Sequence, residues 1–444
     1  MKKSLVALAA LAAVGAASAQ SSVTLYGLVD IGYGQQTTTT RDGSGFIKSR
    51  GIMDGANAGN RIGFRGTEDL GGGLKANFVI EQGISPTNGQ LFGVRAGANG
   101  PQLDGFPVTA SATGLSGAAG GYTTSTNRQS YVGLSSASLG TFNIGRQYTA
   151  VYELGTLSGY NVGSEGSAGA DKAHIHGIFL GGATSRANMI QYISPNFGGG
   201  FVARVQYGSG DNRGSTESSG TLTNGLTTDN VRRMALMLQY ANGPLSASAA
   251  YTNVRMKTVN GAAGVAAAAG LNVYGGATPA GTTLLTGLDR TANLFQLGAS
   301  YDFGVAKVAG TINRGKNGGA AGILTASANP ALVQAAGAAG FNSTYRAYQI
   351  GVSVPFGAIV PFIAYGRATT DSSNVNGVSA AGAFAASNRT EDYKQYQVGV
   401  RYSLSKRTTA YAFHGQTKNE AAAITGAASA YIEKKTIVGV THSF

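Results

Sequence analysis

Hydrophobic and polar residues alternate one by one over long stretches of this chain. In YQIGVSVPF, Tyr348, Ile350, Val352, Val354 and Phe356 share one face, and Gln349, Gly351 and Ser353 share the other. In YQVGVRYSL, Tyr396, Val398, Val400, Tyr402 and Leu404 oppose Gln397, Gly399, Arg401 and Ser403. FQLGASY sorts Phe295, Leu297, Ala299 and Tyr301 from Gln296, Gly298 and Ser300. A period of two predicts half-buried β-strands. A soluble sandwich would alternate as well. Here, however, the apolar faces end in Tyr or Phe, while the second faces carry Gly, Ser, Gln and an occasional Arg. That pairing describes strands with lipid on one side and a wet interior on the other.

The pattern predicts strands near 23–33, 60–69, 74–83, 128–136, 141–150, 187–194, 201–209, 231–241, 245–256, 292–303, 305–315, 345–356, 359–369, 393–404, 408–417 and 435–444. This is an all-β chain with an even number of strands, sixteen. Short turns such as NFGGG, ANGP and FGA join some pairs, and long Ala/Gly/Ser/Thr stretches join the others. Short turns on one rim and long loops on the other suit a 16-stranded antiparallel transmembrane β-barrel, and that strand number leaves room for an aqueous channel. The strand pattern continues across each long stretch, so these read as loops rather than linkers between domains.

One connection is anomalous. After GRQYTAVYE, Gly145 to Glu153, the next strand begins only near Arg186, and the intervening residues are too many for a hairpin turn and too rich in Gly for a helix. At the N-terminus, Lys2 and Lys3 precede an apolar run and an Ala17-Ser18-Ala19 site, which predicts a secretory signal over 1–19 and a barrel domain over 20–444.

Composition agrees with the two-sided strands. Of 444 residues only 12% are charged, against about a quarter in soluble domains, yet mean hydropathy sits at the neutral mark. There is no Cys, so stability rests on packing and on the hydrogen-bond ladder rather than on disulfides. Enzyme chemistry finds little support. Four His and no Cys leave few bases for a nucleophilic triad, and His174 and His176 lack a third ligand at convincing spacing, so no metal or other cofactor is expected. No phosphate-binding Gly loop stands between a strand and a helix. The cations are scattered along strands without the compact patch that nucleic acid requires.

VTLYGLVDIGY at 23–33, followed by NRIGFRGTEDLGGGLKANFVIEQG, resembles the opening of the trimeric general porins of Gram-negative outer membranes, especially their β-proteobacterial branch. NRQSYVGL, GTFNIGRQYTAVYE, YISPNFGGGF and the terminal THSF continue that resemblance in order across the chain after the signal. The resemblance implies an outer-membrane location and a homotrimer. It also implies contact with outer-membrane lipid and lipopolysaccharide, and assembly through the outer-membrane machinery with Phe444 as its C-terminal aromatic signal. His442 stands where an aliphatic residue is often found. The long connection between the fifth and sixth strands, about 152–185, would be an inward-folded constriction loop.

Charges inside such a barrel would select solutes. Ile62 and Phe64 define the lipid face of NRIGFRG, which turns Arg61 and Arg65 inward. The resemblance places Arg128 inward too, across from the constriction loop, and Arg186, where the chain rejoins the wall, is a further candidate. Glu81 shares a face with Lys75 and Asn77 and points inward, and the loop adds Glu153, Glu165 and Asp171. Tyr148 and Tyr152 match tyrosines that line porin constrictions. Arg146 is assigned to the opposite face and is expected at a subunit contact.

Without Lys2 and Lys3 the chain holds 31 basic and 20 acidic residues, a net charge of +11. A unit charge about 7 Å from a passing ion contributes on the order of 0.6 kcal/mol in a watery pore before salt screening. The expectation is a passive channel for small hydrophilic solutes and ions with a several-fold anion preference. The alternatives are a channel specific for phosphate, organic acids or sugars, or an outer-membrane adhesin or enzyme.

Overall fold

The computed structural model describes residues 22–40, 46–55, 57–87, 90–91, 128–157, 186–218, 221–260, 283–325, 338–375, 387–420 and 431–444. The signal region and 158–185, with Glu165, Asp171, His174 and His176, lie outside them. Among the described residues there are eighteen strands: β1 (Ser22–Thr40), β2 (Phe46–Asp54), β3 (Arg61–Gly71), β4 (Leu74–Ser85), β5 (Gln90–Leu91), β6 (Ser130–Ser136), β7 (Gly140–Tyr148), β8 (Arg186–Ile193), β9 (Phe201–Ser218), β10 (Thr221–Asn242), β11 (Leu245–Asn260), β12 (Thr283–Asp302), β13 (Lys307–Thr325), β14 (Ala338–Ser353), β15 (Ile359–Val375), β16 (Ser387–Ser403), β17 (Thr408–Asn419) and β18 (Tyr431–Ser443). One helix, α1 (Ala150–Leu157), follows β7.

These strands make sixteen columns of one closed antiparallel barrel, because two columns are each split between two strands. β1 pairs along one edge with β3 through Ser22–Leu28 and with β2 through Ile31–Thr39. In the same way β4 pairs with β6 through 74–80 and with β5 at Ile84 and Ser85. The other edge of β1 meets β18, which closes the ring. Phe444 completes the seam: its N–H donates to the Gly27 carbonyl and its carbonyl accepts from the Gly27 N–H, at 3.1 and 3.0 Å. The Phe444 ring lies over Gly27, where a Cβ would collide with it, so only glycine leaves the ring its place.

The predicted faces hold, and their burial is inverted relative to a soluble protein. Gln296 is fully buried while its neighbour Leu297 is 43% exposed, and Gln397 and Val398 repeat the contrast at 0% and 46%. Val, Leu, Ile and aromatic side chains cover the outside, an apolar surface far larger than a soluble monomer carries. Gln, Thr, Ser and Asn pack side by side on the inner wall, as in the hydrogen bond from Gln296 to Asn313 at 3.1 Å. Many strands run well past their predicted ends. β1 continues through QQTTTT to Thr40, where a polar sequence no longer alternates but the ladder to β18 persists.

The inner wall is not uniformly polar. Phe362, Tyr411, Phe413 and Ile437 form a buried apolar cluster with Met53 packed against it. Close by, the turn between β2 and β3 is tied to Asp30 of β1. The Asp30 carboxylate accepts from the backbone N–H groups of Asn57 and Ala58 and from the Tyr411 hydroxyl, while its own N–H donates to the Asn60 side chain.

Candidate functional site: an arginine and tyrosine cluster on the inner wall

Strict alternation in β3 and β4 sends Arg61 and Glu81 inward, and the structure joins them to residues from five other segments. The Glu81 carboxylate accepts from Arg128 Nε at 2.6 Å and from the Tyr26 hydroxyl at 3.1 Å, and Arg61 Nε stands 3.9 Å away. Arg128 holds this position because the β4–β6 ladder continues past β6, through backbone bonds between Glu81 and residues 128–129. Gly59, at the end of the tied turn, leaves space for the Arg128 guanidinium, since a Cβ there would meet it at 2.9 Å. Arg128 Nη2 also donates to the Tyr148 hydroxyl at 2.9 Å.

Tyr148 extends the cluster further along the wall. Its ring stacks on Tyr152 of α1 at 4.4 Å and 10°. The Arg186 guanidinium lies over both rings, 5.0 Å from the Tyr148 centroid and 5.9 Å from that of Tyr152. This is cation–π geometry. Arg65 similarly lies 5.3 Å from the Tyr26 ring centroid. Arg61, Arg65, Arg128, Arg186, Glu81, Tyr148 and Tyr152 are thus brought together as one continuous string of contacts. Among the described residues it holds four arginines and one glutamate.

The start of the long connection is fixed to the inside of the wall. Thr149 caps α1 by accepting the Tyr152 N–H at 3.3 Å, as a helix N-terminus requires. The Ala150 N–H donates to Gln206 Oε1 at 2.8 Å, and Gln206 Nε2 donates to the Tyr148 carbonyl at 3.0 Å. Ala150 and Leu154 bury against Ala235, Met237 and Ala250. Met234, Leu236 and Leu238 face outward on β10, so Ala235 and Met237 belong to its inner face. The chain leaving the fifth column therefore turns to the inside of the barrel.

Glu153 does not join the main cluster. It forms an ion pair with Arg204 of β9 at 2.8 Å, and Arg204 also donates to Gln239 at 2.9 Å. Burial pushes the Glu153 carboxyl up to about 6, and Arg204 pulls the other way without cancelling the shift. The fold therefore favours the protonated acid. Its contribution to stability is present below about pH 4.5 and is lost as pH rises through 6. Ionisation also places a negative charge beside Arg204. Anion preference is accordingly expected to be stronger at about pH 5 than at about pH 7.5, with a midpoint near 6. Reversal potentials across that range check this, and Glu153→Gln should flatten the dependence.

Arg146 is half-buried and falls on the same alternation as the exposed Phe142 and Ile144. Sequence reasoning did not single out Tyr26, Arg204, Gln206 or Asp30. Asp30 and Arg204 did carry a usable signal, each a lone charge on the inward register of an otherwise apolar strand. The partner of Arg204 lies 51 residues away and has no local signature.

With the barrel and its inner cluster described, comparison with known proteins places the chain. A family profile described as Gram-negative porin matches residues 6–422, and the chain belongs to that family. It is 29% identical over 442 residues to an outer membrane porin protein of Bordetella pertussis, covering 94% of this chain and 95% of the relative. It is 31% identical over 327 residues to outer membrane porin protein 32 of Delftia acidovorans, covering 71% and 70%. Among solved structures, an anion-selective porin from Comamonas acidovorans superposes with a TM-score of 0.56 at 25% identity, covering 96% of this chain and all of that one. The chain is an outer-membrane porin, and its relatives are channels rather than enzymes.

Proposed function

We propose that the barrel passes small hydrophilic solutes and ions passively and prefers anions, with its narrowest section bounded by the Arg61–Arg186 cluster and by the segment that begins at α1. The observation that carries this reading is the balance of charge on the inner wall. Four arginines, two from β3, one from the residue just before β6 and one from β8, converge along this string of contacts, which holds one glutamate, Glu81. Rings of charged side chains at a constriction set ion selectivity. The anion-selective porin named above has the same fold and supports the sign. Residues 152–185 are assigned to the constriction, and Arg146 to contact between subunits of a homotrimer.

Proteoliposome swelling tests the reading. Uncharged sugars should enter at rates that fall steadily with size, and a small organic anion should enter faster than a cation of equal size. Entry of a single solute, with all others of similar size excluded, would instead make this a substrate-specific channel.

A further inference from the structure

The outer surface of β12–β14 carries a charged groove unlike its surroundings. Ile312, Tyr348 and Ile350 mark the outward faces of β13 and β14, so Arg314, Lys316 and Arg346 also project outside the barrel, and all three are exposed. The pairing register sets Tyr251, Phe295, Arg314 and Arg346 in one row across four strands. With Lys316 and Thr344 they line a groove of about 530 Å³. Arg314 and Arg346 stand directly opposite each other, an arrangement that repels. Asp371 stands 3.9 Å from Arg346, and among the described residues no carboxylate pairs with Arg314 or Lys316.

The neighbouring columns show the contrast. Arg367 is paired with Asp392 at 2.8 Å, and Lys394 and Lys418 share Glu420. Cations on that side are neutralised within the protein, whereas those of β13 and β14 are left in excess. Their height explains what can neutralise them. Arg314 and Arg346 stand level with the outward Tyr251 and Phe295 and on the long-loop side of Tyr348, Lys316 lies two residues further toward the long loops, and such aromatic girdles mark the membrane interface. The cations therefore stand where the headgroups of the outer leaflet begin, above an aromatic and aliphatic floor that acyl chains can cover.

The geometry points to a binding site for a phosphate-bearing lipid headgroup of the outer leaflet, with Arg314 and Arg346 gripping a phosphate and Lys316 adding a point charge. Guanidinium groups suit this task because their planar donors match phosphate oxygens two at a time. The site lies on the outer surface and is independent of the pore.

Native mass spectrometry of the purified protein, titrated with diphosphorylated lipid A and with the same lipid stripped of phosphate, tests it. The wild-type chain should retain one diphosphorylated molecule and bind the stripped lipid about tenfold more weakly. The R314Q/K316Q/R346Q variant should lose the same factor while keeping its single-channel conductance. Equal retention of the two lipids by the wild-type chain would overturn the site even if the variant failed to fold. Retention unchanged in a folded variant would overturn it too. Displacement of the lipid by an equal concentration of inorganic phosphate would assign the groove to a free anion instead and contradict the lipid assignment.

Discussion

Replacing Arg61 and Arg128 together with Gln is expected to lower the chloride-over-potassium permeability ratio by about threefold. Each charge contributes on the order of 0.6 kcal/mol at about 7 Å in a watery pore, and salt screening removes a large part of that. Within the cluster the change takes four arginines and one glutamate to two arginines and one glutamate. The single variants should differ. Arg128 is buried and directly bonded to Glu81, so Arg128→Gln alone leaves a buried carboxylate with only Arg61 and Tyr26 beside it. That variant should lose stability as well as selectivity, because breaking a buried pair strands its partner. Arg61 is 28% exposed and 3.9 Å from Glu81, so Arg61→Gln should change selectivity with little effect on folding. Reversal potentials paired with urea unfolding in lipid vesicles separate the two effects.

The second large effect is expected at Asp30. Its carboxylate accepts the Tyr411 hydroxyl at 2.6 Å and the Asn57 N–H at 2.7 Å, together with the Ala58 N–H. It therefore pins the turn between β2 and β3 against the wall beside the Phe362–Ile437 cluster. Asp30→Ala orphans three donors, each worth about 1–3 kcal/mol if left unsatisfied and buried. The unfolding free energy in vesicles should fall accordingly, by about 2–4 kcal/mol after relaxation. Asp30→Asn keeps an acceptor oxygen and should lose less. Because the same turn ends at Gly59 against Arg128, Asp30→Ala should also loosen the arginine cluster and broaden single-channel current noise. Unfolding energy and noise both unchanged would show that the turn is held by other contacts.

The membrane-embedded parts of the barrel are legible in the sequence because lipid and an inner wall impose opposite demands on successive residues. FQLGASY and YQVGVRYSL each sort into two faces on alternation alone, and the folded strands keep both assignments. The Arg61–Glu81 neighbourhood is legible by the same alternation. Legibility ends where the lipid constraint ends. QQTTTT continues β1 as a strand, but nothing apolar marks its register. FIKSRGIMD in β2 exposes Phe46 and Ile47 in succession, so no two-residue period announces it. The split of two columns into pairs of strands follows from non-local pairing that no window of sequence contains. The cluster is legible only in part for the same reason: Tyr26 reaches Glu81 across 55 residues, and Arg204 reaches Glu153 across 51. The constriction assignment rests on resemblance. The described part of that connection, α1, enters the barrel through an N-cap and an Ala/Leu face that resemble any short amphipathic turn when read alone.

The most direct test of an anion-preferring pore is the reversal potential of the purified protein in a planar bilayer under a tenfold KCl gradient. The arginine-rich inner wall predicts a potential of the sign set by chloride, reduced in the Arg61→Gln/Arg128→Gln variant. A potential of the sign set by potassium in the wild-type channel would contradict the account.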